Sequence, residues 1–168
     1  MNPHHVQRWH ARLPPDASRS TRVVVADDDH DLRSIIVVAL RGAGYSPIAV
    51  QNGAELLDQM SDALLTGDPS LGPDLVIADV RMPGLTGLGI LVGARQAGWS
   101  GPFVLMTAYP DPWLREEAEQ CDAVFFAKPF EIDDLVTVAV NLAPPGKAPS
   151  IPPTSRRATS HAARQNAR

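Results

Sequence analysis

Four short apolar runs, each closing on a polar residue, most constrain what this chain can fold into. Val23-Val24-Val25-Ala26 closes on Asp27 and Asp28, and Leu75-Val76-Ile77-Ala78 closes on Asp79. Phe103-Val104-Leu105-Met106 closes on Thr107, and Val124-Phe125-Phe126-Ala127 closes on Lys128. Unbroken apolar runs of this length fit strands buried on both faces of a parallel sheet. In open α/β sheets the ligand site lies off the carboxyl ends of the strands. Three carboxylates, one hydroxyl and one ammonium should therefore meet at one sheet edge. Adjacent carboxylates such as Asp27 and Asp28 repel each other without a cation. The set reads as a divalent-cation site beside a phosphorylatable aspartate.

The segments between these runs carry helix signals. Asp29–Gly42 has Leu32, Ile35, Ile36, Ala39 and Leu40 at helical spacing, with Asp29 as its cap. A short strand at Ser46–Val50 precedes Asn52, which caps a helix reaching about Leu65. The loop Gly67–Pro73 is longer than an αβ connection usually needs. Further helices run from about Thr86 to Ala97, from the Asp111-Pro112 cap pair to near Cys121, and from about Glu131 to Leu142. Ile132, Leu135, Val136 and Val140 face inward on the last of these. Asp133 and Asp134 in its first turn favour the helix dipole and need no catalytic role. The pattern is an α/β fold of the (βα)5 type, doubly wound around a five-stranded parallel sheet with right-handed crossovers.

Composition divides the chain into three parts. Residues 21–142 hold 7 Lys/Arg against 18 Asp/Glu, a net −11, whereas residues 1–20 carry +2 and residues 143–168 carry +5. The expected organisation is a flexible basic extension over 1–20, a domain over 21–142, and a disordered Pro/Ala/Arg-rich tail over 143–168. So acidic a core disfavours binding nucleic acid directly. The single cysteine, Cys121, excludes an internal disulfide and a multi-cysteine zinc site, making the cytoplasm the default compartment. No apolar run approaches the ~20 residues of a membrane span. The five histidines show no metal-ligand spacing.

Four motifs in order now carry a resemblance: Val24-Val25-Ala26-Asp27-Asp28-Asp29, Asp74 through Gly84, Leu105-Met106-Thr107-Ala108, and Ala127-Lys128-Pro129-Phe130. Across residues 22–142 the chain resembles the receiver domain of bacterial two-component response regulators. The resemblance implies a flavodoxin-like strand order of 2-1-3-4-5 and a Mg²⁺-dependent phosphoacceptor. It makes Asp79 the phosphoacceptor, with Lys128 and Thr107 contacting phosphoryl oxygens. Mg²⁺ would be held by Asp28, Asp79, the Arg81 backbone carbonyl and, through water, Asp27. Thr107 and Phe125 would form the switch, and Tyr109 and Arg81 would flank the site. The implied partners are a histidine kinase or histidine phosphotransfer protein, an unidentified downstream protein and, on phosphorylation, a second copy. No turnover of an external substrate is implied beyond the chain's own phosphorylation and dephosphorylation.

Two other readings compete. Asp27-Asp28-Asp29 also satisfies the Asp-x-Asp nucleophile motif of haloacid-dehalogenase-type phosphatases. Asp31 stands where that family needs Thr or Val, and no acidic pair follows Lys128 on a further strand. The residues after Leu142 number 26 and are polar, so a stand-alone receiver is expected. The alternative is the receiver portion of a longer DNA-binding regulator.

Overall fold

The computed structural model describes residues 20–146. Five strands, β1 (Arg22–Ala26), β2 (Ser46–Val50), β3 (Leu75–Asp79), β4 (Phe103–Thr107) and β5 (Val124–Ala127), form one sheet. All pairs are parallel and the order is β2-β1-β3-β4-β5, as expected. The helices are α1 (His30–Gly42), α2 (Gly53–Thr66), α3 (Gly87–Gln96), α4 (Pro112–Gln120) and α5 (Ile132–Leu142). Residues of α2, α3 and α4 pack on one sheet face around Leu56, Met60, Leu91 and Ala118. Residues of α1 and α5 pack on the other around Ile36, Leu40, Leu135 and Ala139.

Local chemistry sets the helix starts. The Asp29 carboxylate accepts from the Asp31 and Leu32 amides, and Asn52 accepts from the Glu55 amide while Glu55 accepts from the Gln51 amide. Asp111 caps α4 through the Trp113 amide, with Pro112 at the first helical position. These contacts satisfy amides that a helix leaves without internal partners. Gly87 opens α3 because a Cβ there would collide with the backbone carbonyl of Asp79. That glycine lets α3 begin directly against the end of β3.

Several expected details shift. Ile35 is 53% exposed, and Val37 is buried in its place. The inward stripe of α1 is Ile36, Val37 and Leu40, because this helix covers a single sheet face and turns Ile35 outward. On α5, Val140 is 38% exposed and Ala139 is fully buried, since the small side chain lets the helix sit close to the sheet. The β5 strand follows the apolar run from Val124 to Ala127, as expected. The Gly67–Pro73 loop contains a 3-10 turn at Pro69–Leu71, capped by Asp68 through the Ser70 amide. The Arg22 guanidinium donates to the carbonyls of Ser70, Leu71 and Gly72, tying this long connection to the start of β1.

The packed chain continues past the expected boundary at Leu142. Tyr45 donates its hydroxyl to Ala143 O at 2.8 Å. Thr21 donates to Pro144 O at 2.7 Å and accepts from the Gly146 amide at 2.8 Å. The expected flexible extension over 1–20 and disordered tail otherwise fall on residues 1–19 and 147–168, outside the described residues. Among the described residues no helix is long and apolar enough to cross a membrane.

Burial pushes the Tyr45 hydroxyl up to about 12. The neutral form is thus favoured in the fold, and its contribution is complete below about pH 10, the unfolded value. It is lost as pH rises toward 12. Tyr45→Phe should cost about 1 kcal/mol at pH 7 through the lost hydrogen bond. In urea titrations the wild type should lose stability between pH 10 and 12 more steeply than Tyr45→Phe. Parallel alkaline profiles would show that Tyr45 does not titrate with unfolding.

Candidate functional site

The carboxyl ends of β1, β3, β4 and β5 bring Asp27, Asp79, Thr107 and Lys128 to one edge of the sheet. Asp27 follows a strand buried along its length, and it is itself fully buried. Its amide continues the ladder to Val50 O at 3.2 Å, and its Oδ1 accepts from the Asp29 amide at 2.9 Å. Arg33, one turn into α1, donates to the Asp27 carbonyl. Asp79 is the last residue of β3 and is 5% exposed. Its Oδ2 accepts from the Arg81 amide at 2.6 Å, a contact that turns the chain sharply away from the sheet. Asp28 points outward and is exposed.

Lys128 joins the two buried carboxylates. Its amide donates to Thr107 O at 2.7 Å, which continues the β4–β5 register past the last paired residues. Its Nζ lies 2.8 Å from Asp27 Oδ2 and 2.6 Å from Asp79 Oδ1. Burial alone would lower the Lys128 ammonium, but hydrogen bonds to Asp27 and Asp79 outweigh it and hold the group above its ordinary value. Asp79 is also raised: burial lifts it, the Lys128 hydrogen bond and charge oppose, and the Asp27 charge adds to the lift. An isolated ion pair would raise the lysine and lower the acid. Here one cation is shared by two buried anions, so Asp79 remains short of positive charge.

Thr107 is 1% exposed, and its hydroxyl accepts from the Tyr109 amide at 3.1 Å. Side chains alternate along a strand, so Phe125, paired with Leu105 in register, shares a sheet face with Thr107. Phe125 is half-buried against the α2–α3–α4 core, and the Arg115 guanidinium of α4 lies 4.8 Å from its ring centre. Arg81 stacks on Tyr109 at 4.3 Å, joining the loops after β3 and β4 outside the carboxylates. The sequence flagged Arg81 and Tyr109 as flanking residues but gave no sign of Arg115 or Arg33. Their roles depend on how helices sit against strand ends, which no local pattern encodes.

The Asp-x-Asp phosphatase reading needs the third aspartate to act in the site. Instead Asp29 accepts two helix amides as the cap of α1, and its carboxylate faces solvent.

The profile of the response regulator receiver domain matches residues 23–140, most of the chain. The chain belongs to that family. It is 36% identical over 117 residues to the DNA-binding transcriptional regulator NtrC of Escherichia coli, covering 69% of this chain and 23% of NtrC. It thus spans about a quarter of such relatives. It is 29% identical over 115 residues to sporulation initiation phosphotransferase F of Bacillus subtilis, covering 68% of this chain and 86% of that protein. The response regulator TrrA of Thermotoga maritima, whose structure is a complex with Mg²⁺ and BeF, superposes with a TM-score of 0.59. That match is 28% identical and covers 73% of this chain and 98% of TrrA.

The side chains of Asp27, Asp28 and Asp79 and the Arg81 carbonyl would offer only oxygen, which suits a hard cation such as Mg²⁺. The charge imbalance around Asp79 points the same way. Among the described residues, however, no three acidic, histidine or cysteine side chains are already drawn into a cage. Lys128 bridges Asp27 and Asp79, while Asp28 stands out toward solvent.

The raised Asp79 has a consequence with a definite sign. Its folded value lies above its unfolded one, so the ionised carboxylate opposes folding above about pH 4. Without metal, Asp79→Asn should melt higher than wild type at pH 7, and this advantage should shrink as the pH falls toward 4. Lys128→Met should cost about 3 kcal/mol at pH 7 by leaving two buried carboxylates without their cation. Adding Asp79→Asn to it should recover part of that loss in the same melts. An Asp79→Asn protein less stable than wild type at pH 7 would contradict the shared-cation account.

Proposed function

We propose that this chain accepts a phosphoryl group on Asp79 from a histidine kinase or histidine phosphotransfer protein. In this reading it signals through a change in its protein-binding face. The observation that carries it is the buried Asp79 carboxylate held by Lys128 at the end of the central strand. Transfer breaks the donor's P–N bond as a carboxylate oxygen of Asp79 bonds to phosphorus. Such transfers run through loose transition states with charge on the equatorial oxygens, so positioning and charge stabilisation are what the protein supplies. Lys128 places an ammonium beside the acceptor, and the Thr107 hydroxyl lies at the adjoining strand end. Mg²⁺ would be held by Asp28, Asp79, the Arg81 carbonyl and, through water, Asp27, and when bound it neutralises phosphoryl charge.

Phosphorylation removes one of the two carboxylate partners of Lys128, leaving Asp27, and puts new acceptors beside Thr107. A Thr107 hydroxyl drawn toward the phosphoryl oxygens frees space on the face it shares with Phe125. Phe125 is held from outside by Arg115, so its inward movement loosens α4 near its exposed Trp113. Trp113, in the first turn of α4, and Tyr109, in the loop before it, are 61% and 64% exposed, giving this end of α4 an aromatic face. A downstream protein, or a second copy of the chain, would read that face.

With Mg²⁺ and acetyl phosphate, intact mass should rise by one phosphoryl group, and Asp79→Asn should show no increase. Labelling of that variant at the wild-type level would remove Asp79 as the acceptor. Mg²⁺ at 100 times its Kd should stabilise the fold by about 2.7 kcal/mol, and Asp28→Ala should weaken the response. A melting temperature indifferent to millimolar Mg²⁺ would contradict the assigned ligands.

The switch has its own readout. Phosphorylation should change the fluorescence of Trp113, identified by its loss in Trp113→Phe. Thr107→Ala and Phe125→Ala should blunt the change while Asp79 still accepts the phosphoryl group. A full change in both variants would remove Thr107 and Phe125 from the coupling.

A further inference from the structure

An apolar groove of about 530 Å³ runs between α2 and α3. Its walls include Leu57 and Leu64 of α2, Leu85 of the loop after β3, and Ile90, Gly93 and Ala94 of α3. Leu57 is 38% exposed and Leu85 45% exposed, so apolar side chains face water along it. Gly93 is the informative residue. A glycine inside a helix costs about 1 kcal/mol relative to alanine. Gly87 is required by the Asp79 carbonyl against it, but a Cβ at Gly93 would meet no atom within 4 Å. Nothing in the described fold calls for glycine there. A bare stretch of helix in an apolar groove does allow another segment to approach closely.

We propose that this groove is the docking site of the chain's own N-terminal segment, Val6 to Leu13. Val6, Trp9 and Leu13 are three and four residues apart, the spacing that puts side chains on one face of a helix, and Pro14-Pro15 follows. The point of entry favours this occupant. Ser20 leads into β1, where Arg22 grips the carbonyls of Ser70, Leu71 and Gly72 in the connection leaving α2. A Cβ on Gly72 would meet both Ala63 of α2 and the Trp99 ring nitrogen. The Trp99 amide in turn bonds to the carbonyl of Ala94, in the groove wall, at 2.9 Å. The chain therefore enters the sheet next to the end of the groove formed by Leu64 and Ala94. Pro14 to Arg19 can span about 20 Å when extended, enough to reach along it.

Charge agrees. Arg8 and Arg12 lie among the apolar residues of the segment, while α2 has no Lys or Arg and exposes Asp58 and Asp62 on successive turns. A short tether gives its own segment an effective concentration in the millimolar range, above that of a competing free partner at ordinary levels.

Trp9 reports directly on the docking. In the full chain carrying Trp113→Phe, the remaining tryptophans are Trp9 and the buried Trp99. Trp9 should emit at shorter wavelength and resist iodide several-fold better than in the same chain with Leu13→Asp, which alters no described contact. Gly93→Leu should expose Trp9 as Leu13→Asp does, and Leu57→Lys on the groove rim supplies a second block should Gly93→Leu fold poorly. The protection should be independent of protein concentration, with a monomeric mass in sedimentation. Trp9 open to iodide in the parent chain, or protection untouched by both groove variants, would overturn the proposal. Protection lost on dilution would overturn it too, by making a second copy the occupant.

Discussion

One ammonium group between two buried carboxylates is the interaction on which the rest of this structure depends. Asp27 and Asp79 end neighbouring strands, so parallel pairing alone brings their charges together. Like charges taken out of water are prohibitive unless a cation is held between them. Lys128 reaches both, at 2.8 and 2.6 Å, from the end of a strand two places away from β3. The order β1-β3-β4-β5 is therefore also an electrostatic arrangement, and β4 lies between acid and base as a spacer. Thr107, at the end of β4, carries the hydroxyl in that intervening place, and its carbonyl holds the Lys128 amide.

The same arrangement leaves the site poised. A structural ion pair would be neutral, with both members satisfied. Here the cation is divided, and Asp79 keeps a raised affinity for a proton because burial and Asp27 both act on it. A group that gains from neutralisation also gains from a cation beside it. Stability and reactivity are opposed at this position, a conflict that functional sites commonly contain. The packed β-strands and the Gly87 contact, which ties the start of α3 to the Asp79 carbonyl, hold the carboxylate in place despite it.

Much of this was legible in the sequence because it is written in short-range patterns. The strand ends appear as apolar runs closing on Asp27, Asp79, Thr107 and Lys128. The caps appear as Asp29, Asn52 and Asp111, each accepting from an amide two or three residues on. What failed were details set by the exact rotation of a helix against the sheet, although Ile36, Leu40 and Leu135 are buried as expected. Ile35 and Val37 flank the Ile36–Leu40 stripe on opposite sides, and the apolar pattern alone does not choose which side faces the sheet; packing turned Val37 inward. Val140 and Ala139 reversed for the same reason, where close approach favoured the smaller residue. Arg115 on Phe125 and Arg33 on the Asp27 carbonyl are contacts between elements, so they left no local mark. The hold of Tyr45 and Thr21 on Ala143–Gly146 was hidden by composition, because a Pro-rich stretch reads as unstructured until its carbonyls find donors.

These pieces divide the fold into two ends with different physics. At the carboxyl edge, strand ends present charge to solvent, and Asp28, Arg81 and Tyr109 stand exposed around a buried centre. At the opposite edge, Thr21 and Tyr45 hold the chain leaving α5 against the starts of β1 and β2, while Arg22 holds the chain leaving α2. Backbone carbonyls and neutral hydroxyls dominate there, so that end responds little to events at Asp79 through charge. In the proposed reading, a signal from Asp79 would travel by packing, along elements that touch both the site and the surface. Two do so: the loop after β3, which runs from Asp79 to the Leu85 wall of the groove, and the Thr107–Phe125–Arg115 line into α4. The second ends on a cation resting over a half-buried ring, a contact worth about 1 kcal/mol where solvent reaches it. A contact that weak would be readily exchanged if the space beneath the ring changed, so in the proposed reading α4 is the element expected to yield first.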